Sequence, residues 1–468
     1  MSRFVRFGLL TILTAVGALL APPIQAQNRQ NNFNGGGQAA GVEVLANGVL
    51  KIKVYQGLEG PLVAQWQREA QAKLPPDVAR VSDKRKISLN RLEAAIKDRL
   101  AKGQDLTEEM KYLAGLTRVE NVFFFPGSND IVIAGPAEGF APDLSGRVIG
   151  IFTGRATVEL QDLITALRAY PPGQDTRNKL IGCSIDPTKE GLAKMAQFYR
   201  EAAKQITTPN DPATGDLVAG MKQNLGLQTV TINGVSTKTH FAQVLVEADY
   251  RMKLIGIGLE TPPAKITSYV AKAKPTSGNT NALQRWYFQP NYECVRVTDD
   301  HLAMQLVGDG VKLSNESEVV GADGSRAGGG SKDLASESFV TTFTKEYPTL
   351  AARVAVYAQL RNLIDLSIAA AYIQEQDLYG KAGWQAPTLM DEKQVSVEKY
   401  ESPKQVESAV NAIWRGSRLL TPIGGGVSIR PTIALQSQNL LKDEQGELQA
   451  ARQKVKVEGL AEGQWWWD

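Results

Sequence analysis

The amino-acid sequence predicts a mixed α/β protein of the α+β kind. A layered helix-on-sheet domain is followed by a second α+β domain with a strand meander and a long buried helix. Three observations lead there. Between residues 118 and 273, short β-branched and aromatic runs alternate with segments whose apolar residues recur every three to four positions. After a polar break at 274–283, three short apolar runs follow one another with only turn residues between them. From residue 350 to 373, apolar residues fall on two sides of one helix, which places it between two packed surfaces.

Residues 44–117 form a small N-terminal α+β unit, beginning with one or two alternating strands between Val44 and Tyr55. Ser88 caps a helix with Leu89, Leu92, Ile96 and Leu100 on one face, and Gly103 ends it. Thr107 caps a second helix whose first turn holds Glu108 and Glu109, where negative charge complements the helix dipole. In the 118–273 domain, residues 122–125 and 131–134 make a hairpin around Pro126, Gly127, Ser128, Asn129 and Asp130. Residues 148–152 add a strand, and Leu160, Leu163, Ile164 and Leu167 mark a helix. Residues 180–185 are a strand. Asp186 then caps a helix with Pro187 at its first position and Leu192, Met195, Ala196 and Tyr199 on its inner face. A strand at 229–232 closes on Asn233-Gly234, and Phe241, Val244, Leu245, Ala248, Met252 and Ile255 define another helix.

The second domain, 284–435, follows the 274–283 linker. The run Arg285-Trp286-Tyr287-Phe288 opens it as a strand with Trp286 and Phe288 on one face. Residues 292–297, 302–307 and 311–314 form the meander. Thr298-Asp299-Asp300 supplies its first turn, and Asp309-Gly310 its second as a type I′ hairpin signal. Residues 321–332 are a Gly-rich loop, 350–373 the long helix, and 403–435 a last helix-plus-strand stretch with Gly424-Gly425-Gly426 in a turn. A polar tail, 436–468, ends in Trp465-Trp466-Trp467 before Asp468. Those tryptophans dock on the chain, meet a partner or do nothing.

The first 26 residues carry the layout of a secretory signal peptide. Arg3 and Arg6 precede an apolar run from Gly8 to Ala21, Pro22 and Pro23 break it, and Ala26 offers a cleavage site. The run is shorter than the roughly 20 residues a membrane span requires. The expected product is exported to periplasm, cell surface or medium, with no transmembrane anchor after cleavage. Residues 27–43, rich in Asn, Gln and Gly, read as a flexible leader.

Three blocks carry a resemblance: residues 244–256, the stretch Cys183-Ser184-Ile185-Asp186-Pro187-Thr188, and the Arg285-Trp286-Tyr287-Phe288 run. Together they resemble an uncharacterised family of secreted planctomycete proteins that carries a domain-of-unknown-function label. The similar region runs from about Val119 to Leu435. The resemblance implies an exported protein and supplies no activity, cofactor or catalytic residue.

Composition narrows the function classes. Lys plus Arg total 52 against 49 Asp plus Glu, so there is no electrostatic footprint for nucleic acid. The two histidines, His240 and His301, read as solvated turn residues, and no Gly-x-Ser-x-Gly elbow is present. Two cysteines and two histidines do not supply zinc-ligand spacing. Asp299, Asp300 and Asp309 do not follow the EF-hand loop. Residues 322–332 lack the Gly-Lys-Ser/Thr order of a phosphate loop. No catalytic, cofactor or metal residue is therefore assigned. Cys183 and Cys294 either form a disulfide or remain two buried thiols on separate strands; a loop of that order would contribute about 4.7 kcal/mol in the chain-entropy view.

Acid-first pairs four apart, Glu247/Arg251 and Asp249/Lys253, read as a solvated, salt-bridged helix face. Tyr250, Arg251 and Trp286 are the candidates for partner contact. The expectation is a non-enzymatic envelope binding or scaffolding protein whose partner is an envelope protein or polymer, with self-association as a further arrangement. The alternative is a carboxylate-dependent hydrolase of an envelope polymer or polysaccharide, because paired acids leave no linear motif.

Overall fold

The computed structural model describes residues 39–55, 61–202, 213–273, 282–320, 326–328, 333–411, 413–415, 418–420 and 423–468. The signal-peptide segment, leader residues 27–38, linker residues 274–281 and most of the 321–332 loop lie outside the described residues.

The chain is mixed α+β, built around two large sheets. The first has nine strands in the spatial order Ala39–Val44, Val49–Tyr55, Gln405–Glu407, Leu227–Asn233, Ile181–Asp186, Ile423–Ile429, Ala282–Pro290, Val311–Val320 and Arg326–Gly328. The second has seven, in the order Leu440–Lys442, Val295–Val297, Ala303–Leu306, Asn121–Phe125, Asp130–Ala137, Ser82–Ser88 and Trp466–Trp467. One hydrophobic core takes residues from both sheets and from Leu50 through Trp465. The expected break at 274–283 is therefore not a sheet boundary. The 181–186 and 227–233 strands pair with 423–429 and 405–407, across it.

Several local expectations hold. The 121–125 and 130–137 strands pair antiparallel, with Phe125 opposite Asp130 and Asn129 at φ 59° in the turn. Ser88 and Thr107 cap their helices through bonds from the Arg91 and Met110 amides. Trp286 and Phe288 are fully buried on one face of their strand.

Others are corrected. Asp309-Gly310 does not join a hairpin. The 303–306 strand pairs with 121–125 in one sheet and the 311–320 strand with 282–290 in the other, so the chain crosses between sheets there. Gly308 and Gly310, both at positive φ, allow the sharp change of direction. The long helix is two helices, Leu334–Arg353 and Ala355–Glu375, separated at Val354, whose φ of −128° is extended. The Tyr347 hydroxyl bonds the Tyr357 carbonyl at 2.8 Å and ties the pair together across that break. Thr188, not Asp186, caps the next helix by accepting from the Gly191 amide at 3.0 Å, while Asp186 pairs with Arg285.

Gly424, Gly425 and Gly426 lie inside a strand rather than a turn. Neighbouring backbones approach closely enough that a Cβ at Gly425 would sit 1.9 Å from the Trp286 carbonyl oxygen, and one at Gly426 2.1 Å from that of Cys183. A third close approach occurs at Gly256, where a Cβ would fall 1.9 Å from the Trp286 ring. Glycine is required at 256 and 425, where a Cβ would meet the Trp286 ring and the Trp286 backbone.

The Ala355–Glu375 helix is buried along nearly its whole length and packs on the helices Leu160–Ala169, His240–Gly256 and Leu334–Arg353. The His240–Gly256 helix is sandwiched between this central helix and the 181–186 and 423–429 strands. The tail docks on the chain. Trp466 and Trp467 extend the second sheet against Ile87 and Lys86. Asp468 meets Arg85, which has no exposed surface, at 2.8 and 3.0 Å. The same guanidinium donates to the carbonyls of Val78, Ala114, Asp77 and Arg80, so it is fully satisfied.

Candidate functional site

Two neighbouring features hold the chemistry. The first is an apolar groove of about 400 Å³. Its walls come from the helix Pro61–Ala72, the short helix Glu108–Lys111 and the hairpin Phe140–Pro142/Val148–Gly150. Trp66, Ala70, Leu74, Tyr112, Phe140 and Val148 supply apolar surface, and Glu69, Glu108, Glu109 and Lys73 supply charge. The Pro61–Ala72 helix is pinned to the opposite wall, because Trp66 Nε1 donates to the Pro142 carbonyl at 3.3 Å and Gln67 to that of Ile151 at 2.7 Å. The Tyr112 and Phe140 rings meet at 5.4 Å. Burial raises the Glu109 carboxyl above its ordinary range, and Asp77 adds to that. Three acids against one lysine give the groove negative character, eased where Lys111 pairs with Glu108 at 2.7 Å.

The second feature lies behind Tyr112, whose hydroxyl is held protonated first by burial and then by the nearby Glu159 charge. Here the N-terminal ends of two helices meet the second turn of the central helix. Thr239 caps the His240–Gly256 helix, so His240 is its first residue. Glu159 stands at the start of the Leu160–Ala169 helix and Asp162 in its first turn, positions that favour carboxylates. His240 Nδ1 lies 2.9 and 3.1 Å from the two Asp162 oxygens. Its Nε2 lies 3.8 Å from Glu159 Oε1 and 3.4 Å from the Gln359 amide nitrogen. Gln161 braces the other Glu159 oxygen at 2.6 Å and reaches the Tyr400 hydroxyl at 2.9 Å.

His240 is thus not a solvated turn residue; its side chain is 13% exposed. Burial alone would lower its pKa, but Asp162 and Glu159 outweigh that and hold the imidazolium up to about 9. Burial raises the Glu159 carboxyl, with His240 opposing. No hydroxyl or thiol among the described residues bonds either ring nitrogen, so a nucleophile–histidine–acid relay is not assembled here. His301 is different. It sits at φ 53° in the turn after Asp299 and Asp300, and its carbonyl accepts from the Tyr372 hydroxyl.

The residues expected to meet a partner are turned inward. Trp286 is fully buried against Gly256 and donates to Ser336 Oγ at 2.9 Å. Arg251 is 5% exposed and grips Glu260 through three bonds of 2.7–3.2 Å, with Glu247 at 3.5 Å. Tyr250 is half-buried against the core. The expected solvated face is in fact interior: Glu247 and Asp249 have no exposed surface. Arg147 from the hairpin completes the Glu247 network. Lys253 binds Asp249 at 2.8 Å and the Ile185 carbonyl at 3.1 Å. Burial pushes Asp249 up to about 6 against the pull of Lys253. The face is buried because the helix has a sheet on one side and the central helix on the other.

Cys183 and Cys294 are free and buried, Cys183 in a strand of the nine-stranded sheet and Cys294 just before a strand of the other. Burial raises both thiols, Cys294 to about 12, which leaves them protonated and unreactive at neutral pH.

Residues 183–269 match the family described as "Protein of unknown function (DUF1598)". No curated protein and no solved structure matches the chain. The matched segment contains His240 and the Glu247–Lys253 ion pairs. Glu159, Asp162, Gln359 and the groove lie outside it.

Proposed function

We propose that the chain is an exported, non-enzymatic binding protein of the cell envelope, and that its groove takes a basic, apolar segment of an envelope partner. The groove carries this reading: an apolar floor with Trp66, Phe140 and Tyr112 between walls that hold three glutamates. An apolar concavity with a few charged groups at its edge is the usual form of a binding site, and the excess of carboxylates selects a cationic occupant. Export is supported by the charged, apolar and small-residue order of the first 26 residues and by the resemblance to secreted planctomycete proteins.

A carboxylate-dependent hydrolase is less well supported. Glycosidase acids stand about 5–9.5 Å apart with the reacting centre between them. Glu159 and Asp162 instead lie with His240 in a cluster whose ligand atoms are all within 4.8 Å, and the imidazole occupies the space between.

Two measurements test the proposal. Fractionation of the native cells with N-terminal sequencing should recover a chain processed near Ala26 outside the cytosol; recovery of the intact chain in the cytosol overturns export. Fluorescence anisotropy with labelled amphipathic peptides, one Lys/Leu and one Glu/Leu, tests the groove. The Lys/Leu peptide should bind, and Trp66→Ala and Glu109→Lys should each weaken it roughly tenfold, a loss of about 1.4 kcal/mol. Equal binding of both peptides, or no effect of either substitution, overturns the assignment.

A further inference from the structure

The geometry points to a divalent-cation site of the Zn²⁺ class between His240 Nε2, Glu159 Oε1 and the Gln359 side-chain oxygen, with Asp162 as the residue that orients His240. The central observation is a spacing. Nε2 and Glu159 Oε1 face each other at 3.8 Å, too far for a hydrogen bond, which needs about 3.2 Å or less. Ligands on a tetrahedral zinc with bonds of about 2.0–2.1 Å stand roughly 3.4 Å from one another. The 3.4 Å approach of the Gln359 amide to Nε2 matches that edge length, and the 3.8 Å gap exceeds it by about 0.4 Å.

Gln359 brings a third polar group to the same ring nitrogen. It is 3% exposed, and its Oε1 is buried with no hydrogen-bond partner. Half a turn of the terminal amide exchanges oxygen and nitrogen without changing its shape, and brings Oε1 to the 3.4 Å position beside Nε2. In that orientation Oε1 accepts from the Nε2 proton, and an ion that displaces this proton takes the same oxygen as a ligand. Asp162 already accepts from the far ring nitrogen at 2.9 Å. That is the carboxylate–histidine–metal arrangement, which keeps a proton on Nδ1 toward Asp162, so that an ion arriving at Nε2 displaces the proton there. One imidazole with carboxylate and amide oxygens suits zinc better than magnesium, which prefers oxygen alone. A fourth position is left for water.

The test uses the full chain without a histidine tag, stripped with chelator and then dialysed free of it. Zn²⁺ titrated by calorimetry should bind at one equivalent, and Co²⁺ should give the visible absorption of a tetrahedral centre. Glu159→Gln and Gln359→Leu should each weaken Zn²⁺ by about 10–100-fold, and His240→Ala should abolish binding. Asp162→Asn should weaken binding about tenfold yet keep the Co²⁺ spectrum, because Asp162 only positions the ring. If His240→Ala does not fold by circular dichroism, the Glu159 and Gln359 variants decide alone. Failure of the wild type to bind Zn²⁺ at about 1 mM, a Kd weaker than any structural site, overturns the assignment. Undiminished binding in both Glu159→Gln and Gln359→Leu does so as well, since the ion then sits elsewhere.

Discussion

Replacing Arg251 by methionine separates the buried reading of the Glu247–Lys253 face from the solvated one. An exposed i, i+4 pair contributes about 0.2–0.5 kcal/mol. In the structure Arg251 is 5% exposed and Glu260 4%, and among the described residues Arg251 provides the side-chain bonds to that carboxylate. Methionine keeps most of the packing volume but leaves Glu260 charged and alone, while Glu247 keeps Arg147. Stripping one partner from a buried pair typically costs about 3–5 kcal/mol. Removing both charges should restore most of that, because the remaining Arg147–Glu247 pair is balanced; Arg251→Met/Glu260→Met should lie within about 1 kcal/mol of wild type. Urea unfolding followed together by tryptophan fluorescence and far-UV circular dichroism gives both numbers. A loss under about 1 kcal/mol for Arg251→Met, or a double variant as unstable as the single one, refutes the reasoning.

Two further outcomes follow from backbone and tail contacts. Gly425→Ala should cost at least about 3 kcal/mol and reduce soluble yield, since its Cβ meets a carbonyl oxygen of the paired strand rather than a movable side chain; a thermal midpoint equal to wild type contradicts this. Asp468→Asn should destabilise in a pH-dependent way. Burial disfavours the Asp468 charge, but Arg85, Arg80 and Ser82 outweigh it and hold the carboxyl at about 2, below its ordinary 3.8. A depressed folded-state pKa stabilises above the unfolded value and loses that contribution as pH falls through the folded one. The stability gap between wild type and variant should therefore be full above about pH 4 and close toward about pH 2; a gap constant with pH contradicts the ion pairing.

Local structure was legible where a residue's own chemistry decides it. Ser88 and Thr107 cap helices because a hydroxyl beside a helix start satisfies an amide three residues on. The alternation at 285–288 sent Trp286 and Phe288 inward. What depended on distant partners was not legible. The Glu247/Arg251 spacing is the same on a wet face and a dry one, and only the sheet and central helix around it make the difference. A triple glycine is a turn signal, yet here it lets three strands approach. The His240 cluster joins positions 78 and 119 residues apart. Its one local trace is the Glu-x-x-Asp spacing of Glu159 and Asp162 at a helix start, which the helix dipole explains by itself.

The docking of Asp468 on Arg85 spans 383 positions of sequence. At the ribosome's pace of about 5–20 residues per second, the guanidinium emerges some 20–80 s before its counter-ion. Throughout that interval the 82–88 strand waits with one edge open, a template for wrong partners. This layer of the molecule therefore closes only when residues 465–468 arrive, and not while the segments between them and the 82–88 strand are being made.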